Sequence, residues 1–383
     1  MLKGKIGIIV SEAKYPANKL TTISGHVQVP VFTANMLERN DYDVTLITNK
    51  APKGHRLPFI ASKTLKVKSI LENILKKWPK KGIYWLKIPL FIYQLWKITH
   101  HFDILHFFGT NKTVLFVGLI RIIKISKTML FITFHNFKRP RYFLLRMLIR
   151  KILKKIDCIV TLTHYTRQQL VQCGLKENNI TVMRSGIQNR ILVKENATIS
   201  KFKPFVLFWR NADWENGADI CIEAFKQLSS KYPYINFVFA IRPGCCYDDE
   251  ILKISREYRN VYILFYPYPN NIRIVDLLTS AKIAVLPFRK LSINPQLAIL
   301  ETLSIGTPLI TSNIESNNEI VQNRKTGILI SPKIDEVVRA VKELLDNPCL
   351  ANDMSRAAKN VIQSEWDWEK YERRLINIYM GIR

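Results

Sequence analysis

Short apolar runs alternate with amphipathic stretches along the whole chain, a pattern that predicts β-strands and α-helices in turn. In the first half the apolar runs are KIGIIV (5–10), YDVTLIT (42–48), FDILHFF (102–108), TMLFITFH (128–135), DCIVTLT (157–163) and NITVM (179–183). In the second half they are PFVLFWR (204–210), INFVFAI (235–241), VYILFY (261–266), IAVLPF (283–288), PLITS (308–312) and TGILI (326–330). This βαβ order predicts an α/β chain with two doubly wound parallel sheets, that is, two Rossmann-like domains facing a cleft.

The polar stretch NATISKFK (196–203) interrupts the alternation and is interpreted as a linker. It separates a first domain, residues 1–195, from a second alternating series that begins at residue 204. A chain of 383 residues is long enough for two such domains, each with its own core.

Positive charge is concentrated in the first domain. Residues 1–195 contain 34 Lys and Arg against 9 Asp and Glu, whereas residues 196–383 contain 24 against 21. This asymmetry indicates that the first domain faces an anionic partner, either a membrane surface or nucleic acid. The six cysteines show no CxxC spacing, which is typical of reduced thiols in a cytoplasmic protein.

The segment YFLLRMLIRKILKKI (142–156) predicts an amphipathic helix with a basic side. Its cations are the predicted membrane contacts, namely Arg146, Arg150, Lys151, Lys154 and Lys155. Upstream, Lys63–Lys97 mixes nine lysines with three tryptophans, which suits an interfacial helix among anionic headgroups. Two alternatives stay open. The helix either packs on the core with a solvent-exposed basic face, or it binds nucleic acid, although the sequence contains no recognisable nucleic-acid-binding module. No apolar run is long enough to span a bilayer, because Lys112, Arg121 and Lys124 interrupt the best candidate.

The stretch INPQLAILETLSIGTP (293–308) predicts an apolar helix that carries one carboxylate, Glu301, and ends at Gly306. An acid in this position is either a surface group favoured by the helix dipole or a ligand-binding group. A carboxylate offers only acceptor lone pairs, so it suits the two donors of a vicinal diol.

Taken together, many segments resemble glycosyltransferase family 4, a family with the GT-B architecture. The segments are GHVQVPVFTANMLERNDYDVTLIT, FDILHFF, LFITFH, DCIVTLTHYTRQQL, MRSGI, FWRNADWENGADICIEAF, SAKIAVLPF, LETLSIGTPLITSNIESNNEIV, KTGILISP and EWDWEKYERRLINIY. Each motif is weak alone, but their order and spacing match the family along nearly the whole chain. The resemblance implies a nucleotide-sugar-binding domain over 204–365 and a final helix, 366–383, that crosses back to the acceptor-binding domain.

The resemblance also implies roles for single residues. Arg210 would neutralise the leaving diphosphate, Glu301 would accept hydrogen bonds from ribose hydroxyls, and His135 would contact the donor sugar near the reacting centre. Gly25 would let the backbone approach a phosphate or the acceptor. Further residues predicted to bind the donor are Asn294, Asn216, Arg289, Lys290, Gly306 and Thr307.

Two positions depart from the family pattern. Eight residues before Glu301, where the family has its first Glu, this chain has Ile293, and the position of the phosphate-binding Lys is taken by Asn216. Three explanations stay open: Arg289 and Lys290 supply the missing cation, the donor is unusual, or the protein is a non-catalytic relative.

The resulting prediction is a retaining, metal-independent hexosyltransferase that uses a nucleotide-sugar donor and a lipid-linked or glycan acceptor. It would need no cofactor, bind no nucleic acid, and act in the cytoplasm as a peripheral protein on an anionic membrane. The alternatives are a degenerate GT-B binding or scaffold protein, and a transferase that uses a lipid-phosphate sugar. Tracts of Asp that would hold a divalent metal are not found in the sequence.

Overall fold

The computed structural model describes residues 4–10, 25–48, 66–69, 100–123, 127–187 and 197–381. The chain divides into two compact units, each considered separately below. Unit 1 comprises Met1–Arg184 with Glu372–Arg383, and unit 2 comprises Ser185–Tyr371. The second unit therefore begins upstream of the predicted linker, which itself contains a short helix at Ala197–Ser200.

Unit 1 is built on a seven-stranded sheet with the order β3-β2-β1-β4-β5-β6-β7, and its paired strands are parallel. The strands are β1 (Lys5–Val10), β2 (Asp43–Thr48), β3 (Lys66–Ser69), β4 (Ile104–Gly109), β5 (Met129–Phe134), β6 (Cys158–Thr161) and β7 (Ile180–Val182). The helices begin with α1 (Gly25–Arg39), α2 (Asn111–Ile123), α3 (Phe143–Leu153) and α4 (His164–Val171). Central strands covered on both faces explain why the sequence shows continuous apolar runs rather than alternation.

The buried histidine of unit 1, His106 on β4, is structural. Its Nδ1 lies 2.6 Å from the Tyr379 hydroxyl and its Nε2 lies 2.7 Å from the Thr133 hydroxyl. Burial lowers the pKa of His106 to about 3, so the ring is neutral at physiological pH. The ring thus joins β4 to β5 and to the C-terminal segment of the same unit.

Unit 2 is built on a six-stranded parallel sheet with the order β10-β9-β8-β11-β12-β13. The strands are β8 (Phe205–Phe208), β9 (Asn236–Ile241), β10 (Val261–Phe265), β11 (Ile283–Leu286), β12 (Leu309–Ser312) and β13 (Ile328–Ile330). The helices described in unit 2 are α5 (Ala197–Ser200), α6 (Ala218–Lys231), α7 (Asp248–Glu257), α8 (Ile274–Ser280), α9 (Leu297–Ile305), α10 (Asn317–Ile320), α11 (Ile334–Asp346) and α12 (Pro348–Glu365). Helix α13 (Trp368–Gly381) begins in unit 2, and its residues from Glu372 onward belong to unit 1. The strand order reverses between β8 and β11, and ligands of such sheets bind where the strands end at this switch point.

One sequence prediction in unit 1 is wrong in part. The lysine-rich segment Lys63–Lys97, interpreted as an interfacial helix, contains the edge strand β3 at residues 66–69. The rest of that segment lies outside the described residues. Of the helices in the described ranges, none is long and apolar enough to cross a membrane.

Candidate functional site

Two charged side chains approach each other at the switch point of unit 2. Arg210 follows β8, and Glu301 projects from the middle of α9; both are half-buried. The Nε of Arg210 is buried and has no hydrogen-bond partner among the described residues. Each charge alters the ionisation of the other, so the two groups are close in space. Sequence analysis predicted both residues, and the fold brings them together.

Burial shifts the pKa of both members of this pair. Burial raises the pKa of Glu301 from its ordinary 4.5 to about 7, and the charge of Arg210 offsets part of the rise. Burial also lowers the pKa of Arg210, but a guanidinium keeps its charge at physiological pH. Glu301 is therefore a desolvated acid and not a surface group favoured by the helix dipole.

The pKa of Glu301 predicts that the Glu301→Gln variant is more stable than the wild type at pH 8. The unfolded carboxyl titrates near 4.5 and the folded one near 7, so the cost of burying the charge grows between these values and is complete above pH 7. Glutamine removes that cost, about 1–3 kcal/mol after allowance for partial exposure. Thermal melts should show a gain of a few degrees at pH 8 that shrinks toward pH 5. An equal change at both pH values, or a loss at pH 8, would contradict the assignment; Glu257→Gln on the surface of α7 is the control.

A tight loop connects β8 to α6 beside Arg210. The Nδ2 of Asn216 donates to the carbonyl oxygen of Asn211 at 3.1 Å, which closes the loop on itself. Gly217 has φ +74°, and a Cβ atom there would lie 2.1 Å from the carbonyl oxygen of Pro287. The amide of Asn216 therefore shapes the loop, and its role in binding the donor stays a prediction.

Arg289, which was predicted to supply the missing cation, is paired with an acid in the structure. Its guanidinium makes two hydrogen bonds to Asp219, at 2.5 and 2.6 Å, and one to the carbonyl of Trp214 at 3.0 Å. It also stacks on the Trp214 ring at 4.8 Å. Asp219 neutralises the charge of Arg289. The hydrogen bond to the carbonyl of Trp214 attaches Arg289 to the β8–α6 loop. Lys290 is exposed, and its role in binding the donor stays a prediction.

The segment before α9 is held by a polar network around Asn294. The fully buried Asn294 donates to Glu315 at 2.8 Å and accepts from the Ser316 hydroxyl at 2.5 Å. The N-cap residue Gln296 makes no side-chain hydrogen bond to the first turn of α9. Asn294 therefore fixes the start of α9, where the first backbone N–H groups have no partner within the helix. A role of Asn294 in binding the donor stays a prediction.

Ile293, which replaces the first acid of the family, is 7% exposed and packs in the apolar core of unit 2. An ionised acid would be costly at this point. Two further predicted donor residues lie at the opposite end of α9, and their role in binding the donor stays a prediction. Gly306 is the C-cap with φ +83°, and the Thr307 hydroxyl donates to the carbonyl of Leu278 at 2.7 Å. Both form the turn into β12, about 13 Å along the helix from its start.

The remaining predicted site residues belong to unit 1. Gly25 begins α1, and the loop before it lies outside the described residues. His135 follows β5, is half-buried, and its N–H donates to the carbonyl of Gly109 at 3.2 Å. Roles in acceptor or sugar binding stay predictions for both.

Three residues near Arg210 were missed by sequence analysis. Arg242 follows β9, and Tyr266 and Tyr268 follow β10. Neighbouring strand ends bring them to the same edge of the sheet, which no local motif reveals. Among the described residues, no group of three His, Cys, Asp or Glu side chains is placed to hold a metal ion.

Solved glycosyltransferases share this fold. The Anabaena protein HepE, solved in complex with UDP-glucose, matches with a TM-score of 0.73 and 11% identity over 99% of this chain and 100% of that one. A glycosyltransferase from Rickettsia africae matches with a TM-score of 0.75 and 15% identity over 99% and 98% of the two chains. These likenesses define the class of the protein: two Rossmann-like domains in the GT-B arrangement of glycosyltransferases.

Sequence comparison then identifies the family. The family described as Glycosyltransferase Family 4 matches residues 23–189, and Glycosyl transferases group 1 matches residues 190–361. The chain belongs to glycosyltransferase family 4. A glycogen synthase of Mycobacterium tuberculosis is 25% identical over 237 residues, which is 61% of this chain and 56% of that protein. The chain thus spans about half the length of this curated relative.

Proposed function

We propose that the protein transfers a hexose from a nucleotide-sugar donor to an acceptor at a membrane surface, with retention of the anomeric configuration and without a metal ion. The carrying observation is the Arg210–Glu301 pair at the switch point of unit 2. A cation at the buried strand end suits a diphosphate, and a carboxylate on the adjacent helix suits the ribose diol. HepE in complex with UDP-glucose supports a nucleotide-sugar as the donor class.

In the proposed reaction, the bond between the sugar and the diphosphate breaks while the acceptor oxygen forms a new bond to the same carbon. The proton of the acceptor hydroxyl passes to an oxygen of the departing diphosphate. Negative charge grows on the departing diphosphate, and Arg210 is placed to stabilise it. Retention is inferred from membership of the family, since Ile293 leaves no carboxylate pair from which the outcome could be read.

Measuring release of nucleoside diphosphate from UDP-glucose, GDP-mannose and ADP-glucose tests this function. The proposal expects one donor to be consumed, and consumed faster when an acceptor is present. The buried Ile293 favours one competing function, a GT-B binding protein that holds nucleotides without transferring sugar. Binding without release from any donor, even with acceptor membranes added, would support that alternative.

The membrane-associated acceptor is supported by the exposed side of α3. In its first two turns this side is apolar, with Phe143 65%, Leu144 79%, Met147 43% and Leu148 47% exposed. In its last turn the same side is cationic, because Arg150 and Lys151 lie there and are exposed. Lys154 and Lys155, which directly follow α3, continue this side and are also exposed. Arg146 is only half-buried at the edge of this side and lies over the Phe143 ring at 5.7 Å.

This order differs from the predicted stripe of cations beside a stripe of apolar residues. The beginning of α3 would enter the headgroup region, and its end would meet anionic lipid phosphates. The proposal includes peripheral attachment of the protein to the cytoplasmic face of a membrane.

Neutralising the end of α3 should abolish binding to anionic vesicles. Each cation near such a surface contributes about 1 kcal/mol, so changing Arg150, Lys151, Lys154 and Lys155 to Gln should weaken binding at least 100-fold. Sedimentation with vesicles of phosphatidylglycerol and phosphatidylcholine measures this loss. Leu144→Ser with Met147→Ser should weaken binding even at low salt, because apolar insertion does not depend on charge.

The matched control neutralises four exposed cations of unit 2, namely Lys253, Lys325, Lys333 and Arg356. It should leave vesicle binding unchanged. Two results would contradict the proposal that α3 contacts a membrane. One is undiminished sedimentation of the α3 variant, and the other is equally tight binding of the wild type to duplex DNA at the same ionic strength.

A further inference from the structure

A second arginine stands beside Arg210 at the edge of the sheet. Strands β8 and β9 are parallel and pair Phe208 with Phe239. Continuing this register brings residue 211 level with residue 242, so Arg210 and Arg242 leave adjacent strands that are about 4.8 Å apart. In agreement, the charge of Arg242 contributes to the lowered pKa of Arg210, after burial and against the attraction of Glu301.

Two tyrosines hold Arg242 in this position. Its guanidinium lies 5.5 Å from the centre of the Tyr266 ring, a cation–π distance. The Tyr266 ring meets the Tyr268 ring edge-to-face at 5.4 Å. The Tyr268 hydroxyl is directed toward the carbonyl of Ala240 at 3.5 Å, and both arginines act on its ionisation. Arg242, although exposed, is therefore oriented along the edge toward Arg210.

The cluster carries more positive than negative charge. The charge of Arg210 is affected both by the carboxylate of Glu301 and by the guanidinium of Arg242. No ion pair within 4.0 Å joins Arg210, Arg242 or Glu301 to a described residue. Two positive charges beside one negative charge favour an added anion that bridges the two arginines. A diphosphate, with two phosphate groups in a row, has the charge and the length for this role.

Two residues predicted for this part of the site fit the role less well. The guanidinium of Arg289 is bound to Asp219 by two hydrogen bonds, and Asn216 carries no charge. We infer that Arg242 is the second cation for the donor diphosphate and takes the place of the lysine that this chain lacks at position 216. The inference rests on the proposed nucleotide-sugar function and adds to it a residue specific to this chain.

Calorimetric titration tests the inference on the full chain. Among UDP, GDP and ADP, the one that binds the wild type is titrated into Arg242→Ala, and its unphosphorylated nucleoside is measured by competition. Loss of a charge-assisted contact should weaken diphosphate binding about 10- to 100-fold and leave nucleoside binding unchanged. Arg242→Lys should recover part of the affinity, and Arg256→Ala, an exposed arginine on α7, should behave as the wild type.

Three outcomes would overturn the inference. Diphosphate affinity of Arg242→Ala equal to that of the wild type would show that Arg242 does not contact the phosphates. A larger loss in Arg289→Ala than in Arg242→Ala would return the role to Arg289. If no nucleoside diphosphate binds the wild type, the proposed function fails, and the inference fails with it.

Discussion

Replacing Arg210 with alanine is expected to lower the rate of nucleoside diphosphate release by about 10²–10³-fold, the cost of removing one preorganised donor from a developing oxyanion. The Nε of Arg210 is buried with no described hydrogen-bond partner, and Glu301 is the acid that acts on its charge. Because the guanidinium of Arg210 is desolvated, it interacts strongly with the negative charge that appears only as the sugar–phosphate bond breaks. The effect should therefore be larger on kcat than on KM.

The Arg210 prediction is checked by steady-state release from the preferred nucleotide-sugar. Arg210→Lys should recover only part of the rate, because a single ammonium lacks the planar fork that meets two phosphate oxygens. A rate within threefold of the wild type for Arg210→Ala would remove Arg210 from the mechanism. Thermal melts of both variants separate loss of chemistry from loss of fold.

Replacing Gly217 with alanine is expected to lower the stability of unit 2 by about 2–4 kcal/mol and to abolish nucleotide binding. At φ +74° an added Cβ atom would lie 2.1 Å from the carbonyl oxygen of Pro287, so the start of α6 or the β11 end must move. That movement would displace the loop that carries Asn216 and flanks Arg210. The melting temperature of unit 2 should fall by several degrees.

Gly244 provides the matched control for Gly217. It also has a positive φ, +91°, but a Cβ atom there would meet nothing within 4 Å. Gly244→Ala should therefore cost only the conformational strain, about 1–2 kcal/mol. Equal destabilisation by the two substitutions would mean that the contact with Pro287 is not what requires glycine at position 217.

Most of the fold follows from hydrophobic pattern, and the exceptions have physical reasons. Buried parallel strands require continuous apolar runs, so twelve of them could be recognised in the sequence. The strand at Lys66–Ser69 was missed because it lies at the edge of the sheet and alternates lysine with smaller residues. The short helix Ala197–Ser200 was interpreted as linker because four residues carry no periodic signal.

The site was predictable where a motif is local and not where it depends on pairing across the sheet. Glu301 and Arg210 belong to contiguous segments that resemble the family, whereas Arg242 reaches the site through the register of β8 and β9. The ion pair of Arg289 with Asp219 could not be predicted, because the two residues lie 70 positions apart in sequence. Gly306 and Thr307 were predicted from a motif, which does not show that they form the turn between α9 and β12.

The most direct test of the donor site is a thermal-shift panel of UDP, GDP, ADP and their common sugars on the wild type and on Glu301→Ala. Ligand at about 100 times its Kd adds about 2.7 kcal/mol of stability, which is several degrees for a domain of this size. We predict that one nucleotide stabilises the wild type and fails to stabilise the variant. Absence of a shift with every nucleotide, or an equal shift in the variant, would contradict a nucleotide site built on Glu301.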